Sequence, residues 1–225
     1  MSADIEEKKI RRESEEWHEA YRSNALTQRR WATHRKKLER IGVLAAPQTS
    51  RILDVCCGEG EMLDLLAAHG MKSLTGSDLV EASPGKAPGG RSWQFVAASS
   101  DKLPFKPNTF DWILCAHSLH HLGGLANIKA LMDDAYACLK PGGTLALVDH
   151  YDSMQLRCAQ AVLCSPLAAL TAYSRAFRKQ HLEEEEFMRD YLNHWPQLLD
   201  LLRNSKFSAF SLKKGLLFFY YTAKK

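Results

Sequence analysis

The sequence predicts an α/β fold, a mostly parallel sheet with helices packed on both of its faces. Three observations predict it. Short apolar runs alternate with amphipathic helical stretches at the pitch of β-α-β units. A glycine-bearing turn, Cys57-Gly58-Glu59-Gly60, joins the first apolar run to the helix that follows. The chain then ends in two β runs linked by Lys213-Lys214-Gly215, a spacing that predicts an antiparallel hairpin.

The elements follow in order. Residues 5–41 read as helical, with Trp17, Tyr21, Ala25, Trp31, Leu38 and Ile41 on one face and Arg and Lys on the other. Arg51 to Cys56 is the first strand, and the helix through Met62, Leu63, Leu65, Leu66 and Ala67 stops at Gly70. Further strands are predicted at Leu74–Asp78, Trp93–Ala97, Trp112–Cys115 and Thr144–Asp149. A helix over 125–139 precedes the last of these and ends at Lys140-Pro141-Gly142-Gly143. The prolines and glycines of 80–92 predict a loop where a crossover helix would otherwise stand. Residues 153–203 read as helical, the run Glu183–Glu186 suiting a solvated helix start. The closing β runs are Phe207–Leu212 and Leu216–Thr222.

Composition narrows the function. At 225 residues, 45% hydrophobic and 25% charged, the chain is an ordinary globular protein and not a disordered, collagenous or disulfide-scaffold one. The net charge of +4 is too mild to require a polyanionic partner. Residues 1–51 carry 12 basic and 8 acidic side chains, residues 52–150 carry 7 and 11, and residues 151–225 carry 11 and 7. An acidic centre between basic flanks suits a cationic ligand better than a nucleic acid. The 6 cysteines form no CxxC pair and no zinc spacing. The charged N-terminus is no signal peptide, and the apolar stretch Leu156–Tyr173 is broken by Arg157, Gln160 and Ser165-Pro166. A reduced, cytoplasmic protein without a membrane span is the expectation.

The strongest chemical signal is Leu53-Asp-Val-Cys-Cys-Gly-Glu-Gly60 at a strand-to-helix junction. Glycines there let a ligand approach the backbone at the C-terminal edge of the sheet. The GxGxxG pattern is not met, and Asp54 at the strand end would repel a pyrophosphate but attract a positive charge. Asp78 ends the second strand, where a carboxylate suits the vicinal hydroxyls of a ribose. The edge therefore suits a nucleoside with a cationic tail, a description that S-adenosyl-L-methionine meets.

The segments ILDVCCGEG (52–60), LTGSD (74–78), DKLPFKPNTFDWILCAHSLHHL (101–122) and LKPGGTLALVD (139–149) resemble the class I S-adenosylmethionine-dependent methyltransferases. The nearest branch is the small-molecule one that includes the ubiquinone/menaquinone-biosynthesis type. The resemblance implies a Rossmann-like three-layer sandwich whose seven-stranded sheet has its last strand antiparallel. It implies one methyltransferase domain over 1–225: a helical cap (1–50), a cofactor-binding core (51–150), a helical lid (151–203) and the closing hairpin (204–225). It also implies cofactor contacts at Asp54, Cys56, Gly58, Gly60, Asp78, Leu79, Ser99, Ser100 and Ala116. Two of these depart from the pattern, since Cys56 stands where the family usually has glycine and Ser99 where it has an acid.

The implied reaction is methyl transfer to the oxygen, nitrogen or carbon of a small, hydrophobic or aromatic acceptor. His117 and His150, nearest their strand ends, are the candidates for a general base, while His120 and His121 suit structural packing. An apolar acceptor lining is expected from Leu156, Ala161, Val162, Leu163, Leu167 and Leu170, with Trp17, Tyr21 and Trp31 as lid candidates. No metal is expected, because Asp149-His150-Tyr151-Asp152 lacks the ligand pattern of metal-dependent catechol methylation. The strand end Ala116-His117-Ser118 lacks the Asn/Asp-Pro-Pro-aromatic tetrad of base-amine methylation. RNA methylation is thus the alternative, beside a catalytically inactive or non-methylating member of the fold.

Overall fold

The computed structural model describes residues 27–80, 92–165, 182 and 185–225. Its strands are β1 (Arg51–Val55), β2 (Ser73–Asp78), β3 (Gln94–Ala97), β4 (Phe110–Ala116), β5 (Leu139–His150), β6 (Ser208–Lys214) and β7 (Phe218–Lys224). They form one sheet in the order β3-β2-β1-β4-β5-β7-β6. Only β7 runs against the others; it pairs antiparallel with both β5 and β6. The direction of the strand order reverses between β1 and β4, so a crevice opens at their C-terminal ends.

The strands alternate their side chains between two cores, as strands covered on both faces must. Leu53, Val55, Ile113, Cys115, Leu145 and Leu147 pack beneath α3 (Leu125–Cys138), α5 (185–193) and α6 (Trp195–Arg203). Ile52, Leu114, Ala146 and Val148 point the other way, toward α1 (Thr27–Ile41) and α2 (Glu61–Ala68). The remaining helix, α4 (Met154–Cys164), is capped by Ser153, whose hydroxyl accepts from Leu156 N–H at 3.1 Å.

Several boundaries differ from the sequence reading. Strand β5 starts at Leu139 and takes in Lys140-Pro141-Gly142-Gly143, which form the irregular lead-in rather than a helix end. Trp93 precedes β3 instead of opening it. The hairpin strands sit one or two residues later than expected. On α1 the buried positions are Lys37, Leu38 and Ile41, so the expectation that every Arg and Lys lies on the outer face fails at Lys37. The predicted loop between 81 and 91, the helix start at Glu183, and Trp17, Tyr21, Ala25, Leu167 and Leu170 lie outside the described residues.

Trp93 explains two glycines. A Cβ on Gly60 would stand 2.0 Å from its Cζ2, and one on Gly76 would stand 2.9 Å from its Cζ3. Gly60 also has φ +76°, a left-handed conformation that opposes any side chain. The indole donates to Asp64 Oδ1 at 2.8 Å, which fixes the ring in that position. Gly60→Ala is therefore expected to cost about 2–4 kcal/mol from overpacking and left-handed strain together. Chemical denaturation of the purified variant measures it; a loss below about 0.5 kcal/mol would show that the ring does not close on this turn.

Candidate active site

The C-terminal ends of β1, β2, β4 and β5 lie along one edge of the sheet, because Asp54 is in register with Gly76 and Leu114, and Ala116 with Val148. That edge has an acidic end and a basic end.

At the acidic end, the turn after β1 is held by Cys57 N–H to Ser77 O at 3.1 Å and Gly60 N–H to Cys57 O at 2.8 Å. Gly58 has φ +52°, and Cys56 takes φ +56° without being glycine. The sequence departure at Cys56 is thus a strained residue that keeps a glycine-like backbone; such strain is concentrated at functional sites. Asp78 accepts from Gly58 N–H at 2.9 Å through Oδ2 and from Leu79 N–H at 2.7 Å through Oδ1. Its carboxylate therefore orders the turn and keeps lone pairs toward the cleft. Asp54 is 3% exposed. Among the described residues no donor reaches its carboxylate, and burial together with the like charge of Asp78 raises its pKa to about 8. Ser99 and Ser100 follow β3 half-buried, and Ser99 donates its hydroxyl to the exposed Asp101. A carboxylate does stand at this strand end, two residues beyond the position where the sequence lacked one.

At the basic end, β4 runs out at Ala116 and the next residue, His117, again takes a left-handed φ of +60°. Its amide donates to Val148 O at 2.8 Å. The turn that follows is anchored on Asp149, which is fully buried and accepts from Leu119 N–H (2.8 Å), His120 N–H (3.3 Å), His120 Nδ1 (2.9 Å) and His150 N–H (2.7 Å). Burial is the largest single influence and opposes its charge, but His120 and His150 together outweigh it and hold the carboxyl well below the usual range. His120 is accordingly structural. His117 lies edge-on to His150 at 5.8 Å, to His34 at 5.9 Å and to Phe218 at 4.9 Å between ring centres. Its Nε2 is hydrogen-bonded to the Lys37 amine. Burial, then the Lys37 charge, push the His117 pKa well below the usual imidazole value.

The ligand-type atoms of His117, Asp149 and His150 lie within 4.8 Å of one another. The Asp149 oxygens are taken by four N–H groups and the amine covers His117 Nε2, whereas His150 Nδ1 is buried with no hydrogen-bond partner among the described residues, 3.4 Å from Asp149 Oδ1. A cavity of about 230 Å³ opens on the other side of the turn, between Leu119, Gly124, Ile128 and α5 residues Phe187 and Tyr191. The apolar lining expected from α4 is not formed there: Leu156 is buried, but Ala161 and Val162 face solvent.

Residues 21–217 match the family model described as a methyltransferase domain. The chain belongs to the methyltransferase-domain family. It is 30% identical over 109 residues to a ubiquinone/menaquinone biosynthesis C-methyltransferase of Desulfotalea psychrophila, covering 46% of this chain and 42% of that one. It is 32% identical over 117 residues to an S-adenosyl-L-methionine-dependent Diels-Alderase of Talaromyces variabilis, covering 48% and 39%. The matched region is about half the length of these curated relatives, or less. A solved structure from Methanococcus maripaludis, assigned as an S-adenosyl-L-methionine-dependent methyltransferase, superposes with a TM-score of 0.59 at 15% identity, covering 92% of this chain and 91% of that one. That likeness confirms the Rossmann-like class I sandwich. No helix among the described residues is long and apolar enough to cross a membrane.

For this methyltransferase-family chain the donor fit is testable on Asp54. A buried carboxylate that no donor among the described residues reaches fits a cationic ligand. Its folded pKa lies above its unfolded one, so the native state holds the extra proton between about pH 4 and pH 8. Stability from this group is complete at acid pH and is lost as pH rises through about 8. Asp54→Asn is expected to melt higher than wild type at pH 8 and to bind S-adenosyl-L-methionine at least tenfold more weakly. Thermal melts across pH 5–9 and titration calorimetry read the two effects, and unchanged melting at pH 8 would refute the buried charge.

Proposed function

We propose that this chain transfers a methyl group from S-adenosyl-L-methionine to a small, hydrophobic or aromatic acceptor. The observation that supports it most is the pair of carboxylates at neighbouring strand ends, Asp54 buried without a donor and Asp78 bound to the glycine turn. Asp78 would accept from the ribose hydroxyls, and Asp54 would balance the positive charge of the amino-acid tail. The backbone of Cys56, Gly58 and Gly60 would lie along that tail. Leu79, Ser99 and Ser100 would face the adenine side, and Ala116 would close the pocket at the end of β4.

The donor supplies an electrophilic methyl whose leaving group is a neutral thioether. The protein's own contribution is then alignment and the exclusion of water, with a base for a protonated nucleophile. His117 and His150 stand at the ends of β4 and β5, on the acceptor side of that edge, and are the groups to supply it. A nucleic-acid acceptor is disfavoured by the acidic centre of the sequence.

The fungal Diels-Alderase relative favours a second reading, in which the same pocket serves a reaction without methyl transfer. Incubation of the protein and a cell extract with methyl-labelled S-adenosyl-L-methionine separates the two. Label in a small-molecule product supports the first reading, whereas tight cofactor binding with no transferred label supports the second. Asp78→Ala is expected to weaken cofactor binding at least tenfold, about 1.4 kcal/mol; calorimetry showing a change within threefold would remove the ribose assignment. His117→Ala and His150→Ala should each lower turnover more than cofactor affinity.

A further inference from the structure

One buried group has no part in the reaction described so far. Lys37 is 4% exposed on the inner face of α1, where lysine is rarely found unless something requires it. Its amine meets His117 Nε2 and lies 4.2 Å from the centre of the Phe218 ring, whose face favours the charged form. Asp149 and Glu61 also favour the ammonium, but burial outweighs them and lowers its pKa to about 7. Glu61 is itself bonded to His34 Nε2 at 3.1 Å, and Asp149 is committed to His120. The hydrogen-bond partner of the amine is the His117 imidazole, and no carboxylate pairs with it directly among the described residues.

The other ring nitrogen of His117, Nδ1, makes no hydrogen bond among the described residues. His117 is thus bonded to a buried amine through one ring nitrogen, while the other is uncommitted among the described residues, just past the end of β4. A neutral imidazole so placed can take a proton at Nδ1 and give up the one at Nε2.

We infer that His117 and Lys37 form a two-step proton relay, and that the acceptor is therefore an oxygen acid, a phenol or enol, bound through its hydroxyl to His117 Nδ1. The inference rests on the methyl-transfer reading above. The acceptor oxygen forms its bond to the methyl carbon as the carbon–sulfur bond breaks, and the electron pair of that bond stays on sulfur. The hydroxyl proton passes to His117 Nδ1, and the Nε2 proton moves on to the Lys37 amine. One positive charge disappears at the sulfonium and one appears on Lys37, so charge is conserved. His117 is the group that touches the nucleophile, and Lys37 acts through it. A hydroxyl must lose its proton as it attacks, and an imidazole in contact with a neutral amine gives that proton a path.

The test uses the full chain with 4-nitrophenol as probe, because only the ionised form of that phenol is yellow. Wild type holding the demethylated cofactor product is expected to bind the probe and turn it yellow at a pH where the free phenol is colourless. With the methyl donor, the colour should fade as the methyl ether forms, at a rate that rises with pH through about 7. Lys37→Met should lose the bound colour and that limb of the profile, with turnover down by about 10²-fold and cofactor affinity within threefold. Lys37→Arg, always charged, should bind the phenolate and methylate it at a rate that no longer rises with pH through about 7. Wild type that binds cofactor but never ionises the probe would overturn the relay alone, as would Lys37→Met behaving like wild type. Wild type that binds no cofactor would overturn the methyl-transfer reading and this inference together.

Discussion

The buried Asp149 carboxylate is the constraint on which the candidate site depends. Four N–H groups converge on it, two from the backbone after β4, one from His150 at the end of β5 and one from the His120 ring. An ion buried in this way is tolerated only when its lone pairs are filled, and removing one partner leaves a costly charge behind. The turn 117–121 is therefore tied to the end of β5 and cannot drift. His117, at the head of that turn, takes a left-handed backbone and its ring meets Lys37.

The edge of the sheet is electrostatically divided. Asp54 and Asp78 cluster at the ends of β1 and β2, whereas Lys37, His117 and His150 cluster over β4 and β5. Parallel register brings the two ends together, since each strand delivers its last residue to the same line. In the proposed reaction positive charge arrives with the donor at the acidic end and departs as a proton at the basic end. Burial holds both groups away from their ordinary charged states: Asp54 leans toward the neutral acid and Lys37 toward the neutral amine. The division is thus between a site lacking a cation and a site lacking a proton.

Much of this was legible in the sequence, and the reasons differ by residue. Leu53–Gly60 and Asp78 could be found because strand-end glycines and carboxylates are local features, read without knowing what packs above them. The seven strands and the antiparallel return followed from apolar runs and the turn at Lys213-Lys214-Gly215. Lys37 was missed, although His34, Lys37, Leu38 and Ile41 fall at the i, i+3, i+4, i+7 spacing of a buried helical face. The reading by residue type placed every lysine outside, and the periodicity that contradicted it went unused. The pairing of Asp149 with His120, 29 residues apart, and the cavity against α5 depend on tertiary contacts that no local pattern encodes. Ser99 was read as a missing acid because its partner Asp101 reaches back only once the strand end is folded.

The two buried ionisable groups also set opposite pH trends in stability, and their overlap bears on the function. Asp54 takes up a proton on folding between about pH 4 and pH 8, so its contribution falls over that range. Lys37 gives one up on folding between about pH 7 and its ordinary value of 10.5, so its contribution rises there. Together they are least favourable near pH 7–8, where Asp54 is about to ionise and Lys37 has just lost its charge. A cationic ligand at Asp54 and an ionisable hydroxyl at His117 each supply the missing partner in that interval. The site is least stable by itself at the pH where its two ligands would stabilise it most, as expected of groups placed for binding and proton transfer rather than for folding.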